Sequence, residues 1–269
     1  MLKVLVTSGG TKVPIDDVRS ITNMSKGTFG SKIATEFLKV DEQIQLHFLR
    51  AENSIKPFSM LYDPSCGYQH NIKGIYNIDK LFRRCSRRYT EETYKTYDDY
   101  ATSLKRIIRE MRPDIIVLAA AVSDYTIKNP VNGKIRSSDD LKLELTPTEK
   151  LIGQVQNIQT QYGLGSILVG FKLLVNSLDK ELLAAAEKSI KENKCDLVIA
   201  NDLRDIKNDD HKLIVVSKDR ADYYYSVSEY GRKMDKNYLA SVVARRSINQ
   251  WNKKFGESLG YKYGTHGKN

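Results

Sequence analysis

Apolar positions along the chain form two kinds of pattern, and the first is a set of short continuous runs. Such runs, rich in β-branched residues, are typical of strands that a parallel sheet buries on both faces. They occur at 2–6, 114–119, 167–171 and 196–200. Alternation of polar and apolar residues predicts further strands at 43–49 and 141–145, and a hairpin from 212–216 and 222–227.

The second pattern is a recurrence of apolar residues at helical spacing between those strands. It predicts helices over about 25–38, 94–111, 146–159, 178–193 and 239–251. Pro113 stops the second of these helices, and Pro147 fits the first turn of the third. Because strands and helices alternate, we predict an α/β class chain, a three-layer Rossmann-like fold with a mostly parallel central sheet.

One interval departs from both patterns. Residues 51–90 lack clear periodicity and contain Pro57, Pro64, Gly67 and Gly74, so we expect an irregular insertion with one short helix near 78–84. Neither a linker nor an internal repeat divides the rest of the chain. We therefore predict a single domain over 1–255, followed by a Gly- and Lys-rich disordered tail at 256–269.

Composition limits the class of protein. The chain has 269 residues, 41% hydrophobic and 28% charged, which fits a globular domain. No run approaches the roughly 18 apolar residues that a membrane span needs, and the first residues lack the pattern of a secretory signal. Cys66, Cys85 and Cys195 are odd in number and widely spaced, which argues against a disulfide framework and a zinc site. We expect a cytoplasmic protein with no membrane partner.

The basic charge leaves the kind of partner open. A net charge of +10 suits small anionic substrates as well as polyanions, and the one dense cluster is at 83–88. A non-enzymatic nucleic-acid-binding module is therefore one alternative, although a solvated face is the simpler interpretation of the cluster.

The N-terminal strand, a glycine loop and the following helix indicate a corner suited to phosphate. Gly9, Gly10 and Thr11 follow the first strand, and small residues let backbone N–H groups approach an anion. The alternative is that the glycines serve only the turn. Their spacing matches neither G-x-G-x-x-G nor the P-loop, which argues against a second alternative, an NAD(P)-dependent reductase of Rossmann type. The linker at 12–23 exceeds the usual two to about six residues of such a connection, which indicates a functional loop.

A second group of candidates follows the strand at 114–119. Small residues there leave room for a flat ligand, and Asp124 could meet a hydroxyl or a cation, or serve as a turn residue. Residues 126–140 are polar and basic, and we expect them to form a mobile flap. Lys134 on this flap could close over a phosphate or a developing oxyanion, unless it is merely solvated.

Five blocks together resemble the phosphopantothenate–cysteine ligase family. They are SGGT…PID-x-VR-x-ITN-x-S-x-G-x-x-G (8–30), LAAAVSDY (118–125), KIRSS (134–138), VGFK (169–172) and DLVIAND (196–202). Their order and spacing agree with that family over most of 1–216, apart from 51–90. The sequence GFKLLV at 170–175 resembles the standalone bacterial form of the ligase. The absence of a decarboxylase domain from this sequence favours the same form over the fused bifunctional one.

The resemblance implies a two-step synthesis in coenzyme A biosynthesis. The carboxylate of 4′-phosphopantothenate would attack the α-phosphate of a nucleoside triphosphate, CTP or else ATP, with Mg²⁺, and release pyrophosphate. The amine of L-cysteine would then displace the nucleotide from the acyl-cytidylate to give 4′-phosphopantothenoylcysteine. The resemblance also implies a homodimer with each substrate site near the dimer interface.

Roles for individual residues follow from the same resemblance. Asn23 matches the asparagine that holds the acyl-nucleotide, Arg19 an arginine suited to an anion, and Lys134 the flap lysine of the second step. Gly9, Gly10 and Thr11 would serve the phosphates. The remaining matches are nucleotide-pocket positions, Leu118, Ala119, Ala120, Asp124, Pro147, Thr148, Glu149, Lys150, Phe171 and the base-reading Lys188. A second base-reading lysine falls ambiguously near Lys191 and Glu192, and no residue is assigned to the metal.

Overall fold

A computed structural model describes residues 1–59, 67–136, 141–207, 212–225 and 236–256. Its strands, in chain order, are β1 (Leu2–Ser8), β2 (Lys12–Pro14), β3 (Ser20–Thr22), β4 (Ile44–Ala51), β5 (Tyr89–Tyr94), β6 (Ile115–Leu118), β7 (Tyr125–Ile127), β8 (Leu145–Pro147), β9 (Ile167–Leu174), β10 (Leu197–Asp202), β11 (Lys212–Ser217) and β12 (Ala221–Tyr225). Its α-helices are α1 (Thr28–Val40), α2 (Gly67–Cys85), α3 (Tyr97–Met111), α4 (Leu151–Gln161), α5 (Asp179–Asn193), α6 (Leu203–Lys207) and α7 (Lys236–Trp251).

Eight strands form one sheet in the order β12-β11-β10-β9-β6-β1-β4-β5. Six neighbouring strands of this sheet, β10, β9, β6, β1, β4 and β5, pair in parallel. The strands β11 and β12 complete the sheet as an antiparallel hairpin. The chain runs outward from β1 through β4 to β5, then returns to β6 and continues the other way. This is the strand order of doubly wound nucleotide-binding sheets, in which the reversal leaves a crevice at the carboxyl ends of β1 and β6. The predicted fold class is confirmed.

Helices cover both faces of the sheet, because the strand side chains alternate between two apolar clusters. Val4 and Val6 of β1 join one cluster, which α1 and α7 complete with residues such as Phe37. Leu5 joins the other, which α3, α4 and α5 complete with residues such as Leu104. All five of these side chains are at most 1% exposed. Burying each one contributes roughly 1.5–3 kcal/mol, so the two clusters supply most of the driving force for folding.

The interval 51–90 contains a long helix and the first two residues of a strand, so the prediction of a single short helix there was wrong. The helix α2 spans 67–85 rather than a short piece near 78–84, and Cys85 at its end is fully buried against α1. The outer face of α2 keeps Ile72, Ile75 and Tyr76 exposed, which blurs the helical pattern. The edge strand β5 was missed because its polar residues face solvent, and Tyr94, expected to begin a helix, ends β5 instead.

The helix α3 begins two residues after β5 ends. The hydroxyl of Thr96 accepts a hydrogen bond from the Asp99 N–H, and the Asp99 carboxylate accepts one from the Thr96 N–H. This reciprocal capping box satisfies two backbone donors and fixes the start of the helix at Tyr97, three residues later than predicted.

The region around Pro147 also differs from the prediction. Pro147 ends β8, where it pairs with Tyr125 of β7, and α4 begins only at Leu151. Pro147 was expected in a helical first turn, but the two-stranded ribbon of β7 and β8 tolerates proline because an edge position needs no N–H donor. The strand expected at 141–145 keeps only Leu145, as residues 141–144 are not in a strand.

Several predictions fall on residues outside the described ranges. These are Cys66, the flap residues 137–140, the end of the hairpin at 226–227, and the tail at 257–269. Gly256, assigned to the tail, ends a helical turn over Asn252–Gly256 that continues α7. The division into one domain and a tail stays a prediction. In the ranges that are described, no helix combines the length and apolarity needed to cross a membrane.

Gly9 marks the point where β4 packs most closely against the chain leaving β1. Its φ is +86°, and a Cβ there would lie 2.6 Å from the Ala51 Cβ. A left-handed conformation costs a non-glycine residue about 1–2 kcal/mol, and overpacking adds about 1–3 kcal/mol. Only glycine avoids both costs.

We therefore predict that Gly9→Ala lowers the free energy of unfolding by about 3 kcal/mol. Gly163→Ala is the matched control, because Gly163 has a φ of +59° but open space around the position of a Cβ. It should cost about 1 kcal/mol. Urea unfolding measures both, and equal costs would contradict the close approach at Gly9.

Candidate functional site

The crevice at the carboxyl ends of β1 and β6 is bordered by two loops that leave the sheet side by side. The Ala121 N–H donates to the Gly9 carbonyl at 2.8 Å, and the Thr11 N–H donates to the Ala121 carbonyl at 3.3 Å. The Thr11 hydroxyl also accepts from the Ser123 N–H at 2.9 Å. These bonds extend the β1–β6 pairing beyond the strands and fix the floor of the crevice.

The glycine loop itself is buried by its neighbours. Gly9 packs on Ala51 and Ser54, and a Cβ on Gly10 would lie 3.0 Å from the Asn23 carbonyl oxygen. The Thr11 hydroxyl is fully buried in its bond to Ser123. Gly9, Gly10 and Thr11 thus shape the turn, and their contact with phosphate stays a prediction.

The beginning of α1 lies directly behind this loop. Gly27, at the N-cap, has a φ of 73° and gives the helix no side-chain cap. Its carbonyl accepts a hydrogen bond from the Ser8 hydroxyl at 2.9 Å, which ties the helix start to β1. An uncapped N-terminus carries partial positive charge and free N–H groups, so this corner favours an anionic ligand.

Asn23 follows the small hairpin of β2 and β3 and lies at the crevice. Its side-chain amide donates to the Ala121 carbonyl at 2.8 Å, so it contacts the loop that follows β6. An amide has two N–H donors and a carbonyl oxygen, and one donor is used here. Asn23 therefore keeps one donor and one acceptor for a ligand.

Arg19 lies at the tip of the same hairpin and is largely engaged within the protein. Its Nε and Nη2 donate to Asp16 Oδ2 at 3.0 and 2.7 Å, and Nη2 also donates to the Ile135 carbonyl at 2.7 Å. The bonds from Arg19, and those from the Ile135 and Val18 N–H groups, hold the pKa of the Asp16 carboxyl well below its usual range despite its burial. Direct contact of Arg19 with substrate stays a prediction.

The predicted flap is fastened to this hairpin over its described part. Val131, Gly133 and Ile135 each donate a backbone hydrogen bond to the hairpin, at 3.4, 2.9 and 3.1 Å. Lys134 lies between two of these anchors, and its ammonium group has no hydrogen-bond or ion-pair partner among the residues that the structure describes. The structure thus brings Lys134 and Asn23 onto one assembly of loops, and the mobility of the flap stays a prediction.

The expected nucleotide-pocket residues form a second group at the same edge. Leu118 ends β6, Ala119 and Ala120 follow it, and the Ala120 N–H donates to the Thr7 hydroxyl at 3.2 Å. The Phe171 ring of β9 packs edge-on against Phe29 of α1, with ring centroids 6.2 Å apart.

The turn over 147–150 lies beside the loop that carries Asp124. Thr148 donates through its hydroxyl to the Ser123 carbonyl at 2.7 Å, and through its N–H to the Asp124 carbonyl at 2.9 Å. Lys150 forms an ion pair with the Asp124 carboxylate, and the Glu149 carbonyl accepts from the Tyr97 hydroxyl at 2.7 Å. The structure brings these residues together as expected.

Lys188 is separate from the two groups. It lies exposed on α5 and forms an ion pair with Glu192 at 3.7 Å. No hydrogen bond or ion pair within the described part of the chain links it to the crevice, so base reading by Lys188 stays a prediction. The ambiguous partner position near Lys191 is likewise on α5.

Within the described ranges, no three His, Cys, Asp or Glu side chains are grouped so that they could hold a metal ion. These ranges therefore contain no preformed metal site. Mg²⁺ commonly uses one or two carboxylates and otherwise water and substrate phosphates. Asp124 is the exposed carboxylate near the pocket, and its ion pair with Lys150 would have to open for this role.

Sequence reasoning missed two residues that position the site. Asp16 was seen only as part of a polar linker, although Asp and Arg spaced three apart could have indicated an Asx-type turn. Tyr94 was assigned to a helix, yet its buried hydroxyl contacts the carbonyls of Ser8 and Gly9 at 2.8 and 3.1 Å. No local pattern indicates that contact.

The arginine cluster at 83–88 does not act as one charged surface. Arg83 pairs with Asp79, and the Arg88 guanidinium donates to the Leu38, Asp41 and Ile44 carbonyls. Arg88 therefore closes the end of α1, whereas Arg83, Arg84 and Arg87 are exposed, and this arrangement does not test the nucleic-acid alternative.

Comparison with known proteins identifies the family. The model of the DNA/pantothenate metabolism flavoprotein C-terminal domain matches residues 1–56 and 96–249. The chain belongs to this family. The unmatched interval holds α2 and β5, the elements that sequence patterns failed to predict.

Two curated relatives extend the comparison. The coenzyme A biosynthesis bifunctional protein CoaBC of Thermococcus kodakarensis is 32% identical over 219 residues, which cover 81% of this chain and 46% of that protein. Phosphopantothenate–cysteine ligase CAB2 of Saccharomyces cerevisiae is 26% identical over 90% of this chain and 75% of its own. The chain thus spans less than half the length of the CoaBC protein.

Solved structures share the fold. The DNA/pantothenate metabolism flavoprotein of Streptococcus pneumoniae aligns with a TM-score of 0.69 and 26% identity, over 93% of this chain and 99% of that one. A Cab2 variant in complex with phosphopantothenate-cysteine aligns with a TM-score of 0.77 over 96% of this chain and 89% of that one. At 24% identity, the second likeness concerns the fold alone.

Proposed function

We propose that the chain is a phosphopantothenate–cysteine ligase that forms a C–N bond and depends on a nucleoside triphosphate. Family membership and the similarity to the yeast phosphopantothenate–cysteine ligase CAB2 support the assignment. The observation that carries it is the joining of the Asn23 hairpin to the Lys134 segment at the crevice. Such a reaction needs groups that hold an activated carboxylate rather than a protein nucleophile.

In the first step, a carboxylate oxygen of 4′-phosphopantothenate bonds to the α-phosphorus, and the bond to pyrophosphate breaks. Charge develops on the phosphate oxygens, where the start of α1 and the remaining donor of Asn23 would stabilise it. Attack by an amine on an unactivated carboxylate is not feasible because the carboxylate has no leaving group, so the acyl-nucleotide supplies one. The role of Asn23 is to hold this mixed anhydride away from water.

In the second step, the amine of L-cysteine attacks the acyl carbon, the bond to the nucleotide breaks, and the amine loses a proton. Negative charge passes through an oxyanion to the departing nucleotide. The ammonium group of Lys134 has no partner among the described residues and would stabilise that charge. Arg19 would act indirectly, by holding the hairpin in place, because its hydrogen-bond donors are largely engaged with Asp16 and Ile135.

CTP is the proposed nucleotide, with ATP as the other candidate, and Mg²⁺ would neutralise its phosphates. The residues from Pro147 to Lys150, with Ala119, Asp124 and Phe171, would enclose it. Gly9, Gly10 and Thr11 would contribute the shape of the loop beneath the phosphates.

A dinucleotide-dependent reductase gains no support. Glu52, which follows β4, is where such a fold would bind a ribose, but its carboxylate faces Lys12 at 3.8 Å and Lys95 at 3.3 Å. The glycine spacing also differs from the dinucleotide motif.

The activity test uses the purified chain with 4′-phosphopantothenate, Mg²⁺ and each triphosphate in turn. We expect pyrophosphate release before cysteine is added, faster with CTP than with ATP, and product only after its addition. Pyrophosphate and coupled product are measured separately. Absence of pyrophosphate with every triphosphate would contradict the proposed ligase.

Asn23→Asp should abolish product while the protein remains folded, because a carboxylate would repel the phosphate of the intermediate. Asn23→Ala also loses the bond to Ala121 but adds no charge, so its pyrophosphate release should fall less than that of Asn23→Asp. Circular dichroism checks folding. Normal turnover by Asn23→Asp would overturn the role of Asn23.

A homodimer and a cytoplasmic location belong to the same proposal. The hairpin and the β7–β8 ribbon adjoin, and they expose apolar residues that include Val18 at 68%, Met24 at 89% and Val131 at 48%. Exposed apolar residues on neighbouring elements are a feature of protein interfaces, and we propose that the dimer forms here.

We predict that light scattering finds a dimer and that Val131→Glu produces a monomer. Ile75→Glu on α2 is the matched control, at 58% exposure on a different surface, and should stay dimeric. A monomeric wild-type protein would rule out this interface.

A further inference from the structure

We infer that Asp16 is a positioning residue whose buried carboxylate fastens the Asn23 hairpin to the backbone beside Lys134, so that both groups move as one unit. The statement about the amide-forming step rests on the proposed function. The fastening itself rests only on the contacts of Asp16.

Both oxygens of the Asp16 carboxylate are fully used. Oδ1 accepts from the Val18 and Arg19 N–H groups at 2.9 and 2.7 Å, which closes the hairpin tip. Oδ2 accepts from Arg19 Nε and Nη2 at 3.0 and 2.7 Å and from the Ile135 N–H at 3.1 Å. The side chain has 0% exposure, so water cannot replace a lost partner.

The contact of Asp16 with the flap reaches the residue next to Lys134. Asp16 accepts from the Ile135 N–H, and Arg19 donates to the Ile135 carbonyl at 2.7 Å, so the ion pair holds both backbone groups of Ile135. On the other side of Lys134, the Gly133 N–H donates to Asp17 Oδ2 at 2.9 Å. The backbone of Lys134 is thus held from both sides by the hairpin.

The negative charge of Asp16 is essential to this arrangement. Every group that contacts the carboxylate is a donor, and a neutral amide offers a single acceptor oxygen. In Asp16→Asn, the NH₂ group must therefore face either the hairpin donors or those of Arg19 and Ile135. The Arg19 guanidinium also loses its buried counter-charge, and lost charge-assisted bonds of this kind weaken a contact about tenfold or more.

Asp17 provides the matched control. Its carboxylate accepts from Gly133 but is exposed, and the oxygen of an amide can keep that one bond. Asp17→Asn changes the net charge by the same amount on the adjacent residue. It should leave the fastening of the flap nearly unchanged.

The first measurement is limited trypsin cleavage of the full chain, followed by mass spectrometry. We expect Asp16→Asn to increase cleavage after Lys134 about tenfold relative to cleavage after Arg109 in α3, and Asp17→Asn to match the wild type. A milder variant, Arg19→Lys, keeps the charge but loses the fork that reaches Ile135, and should give a smaller increase at the same bond. If Asp16→Asn does not fold, Arg19→Lys is the variant that tests the fastening.

The second measurement separates the two half-reactions. Asp16→Asn should slow product formation from the acyl-nucleotide about tenfold and slow pyrophosphate release less. Lys134→Gln removes the ammonium group itself and should shift the two rates in the same direction. Equal slowing of both steps, or a uniform rise in cleavage at all sites, would assign Asp16 only a general structural role. Unchanged cleavage after Lys134 in both Asp16→Asn and Arg19→Lys would overturn the inference.

The two measurements keep this inference distinct from the proposed function. A wild-type chain without ligase activity would overturn the proposed function and the predicted effect on the amide-forming step. The cleavage ratio would still decide for or against the fastening by Asp16.

Discussion

β1 pairs in parallel with β4 on one side and with β6 on the other, and this pairing decides where the loops of the crevice leave the sheet. Parallel strands bring their carboxyl ends to one edge, so the loops after β1 and β6 start side by side. Residues distant in sequence, such as Asn23 and Ala121, are then close enough for a hydrogen bond of 2.8 Å. The placement of every site residue at the crevice depends on this geometry.

Buried polar side chains keep the loops in that placement. The Tyr94 hydroxyl supports the Ser8 and Gly9 carbonyls, and the Tyr100 hydroxyl contacts the Thr7 hydroxyl at 3.2 Å. Arg50, 5% exposed, donates to carbonyls of the turn after β4 and pairs with Glu91 at 3.4 Å. Polar groups are costly to bury without partners, so these bonds favour one arrangement of the loops.

This rigidity suits a reaction in which the protein supplies positioning and charge rather than a covalent intermediate. The assembly of hairpin and flap holds a side-chain amide that contacts the crevice and an ammonium group that lies between two backbone anchors. Electrostatic stabilisation is strongest when its donors are already in place. The basic charge of the chain favours anionic ligands, while arginines such as Arg88 bond within the protein.

Local patterns were enough to predict the central strands and most of the helices that cover them. Runs such as 114–119 are apolar because a parallel strand is buried on both faces, so a short stretch of sequence identifies such a strand. Asn23 and Lys134 were proposed from the sequence, through the blocks that resemble the ligase family, and their roles stay predictions. The tertiary structure alone decided the edge strand β5, the helix α2 and the buried position of Asp16. An edge strand carries polar residues, α2 keeps part of its apolar face exposed, and the partners of Asp16 include a residue 119 positions away, so no local pattern records these features.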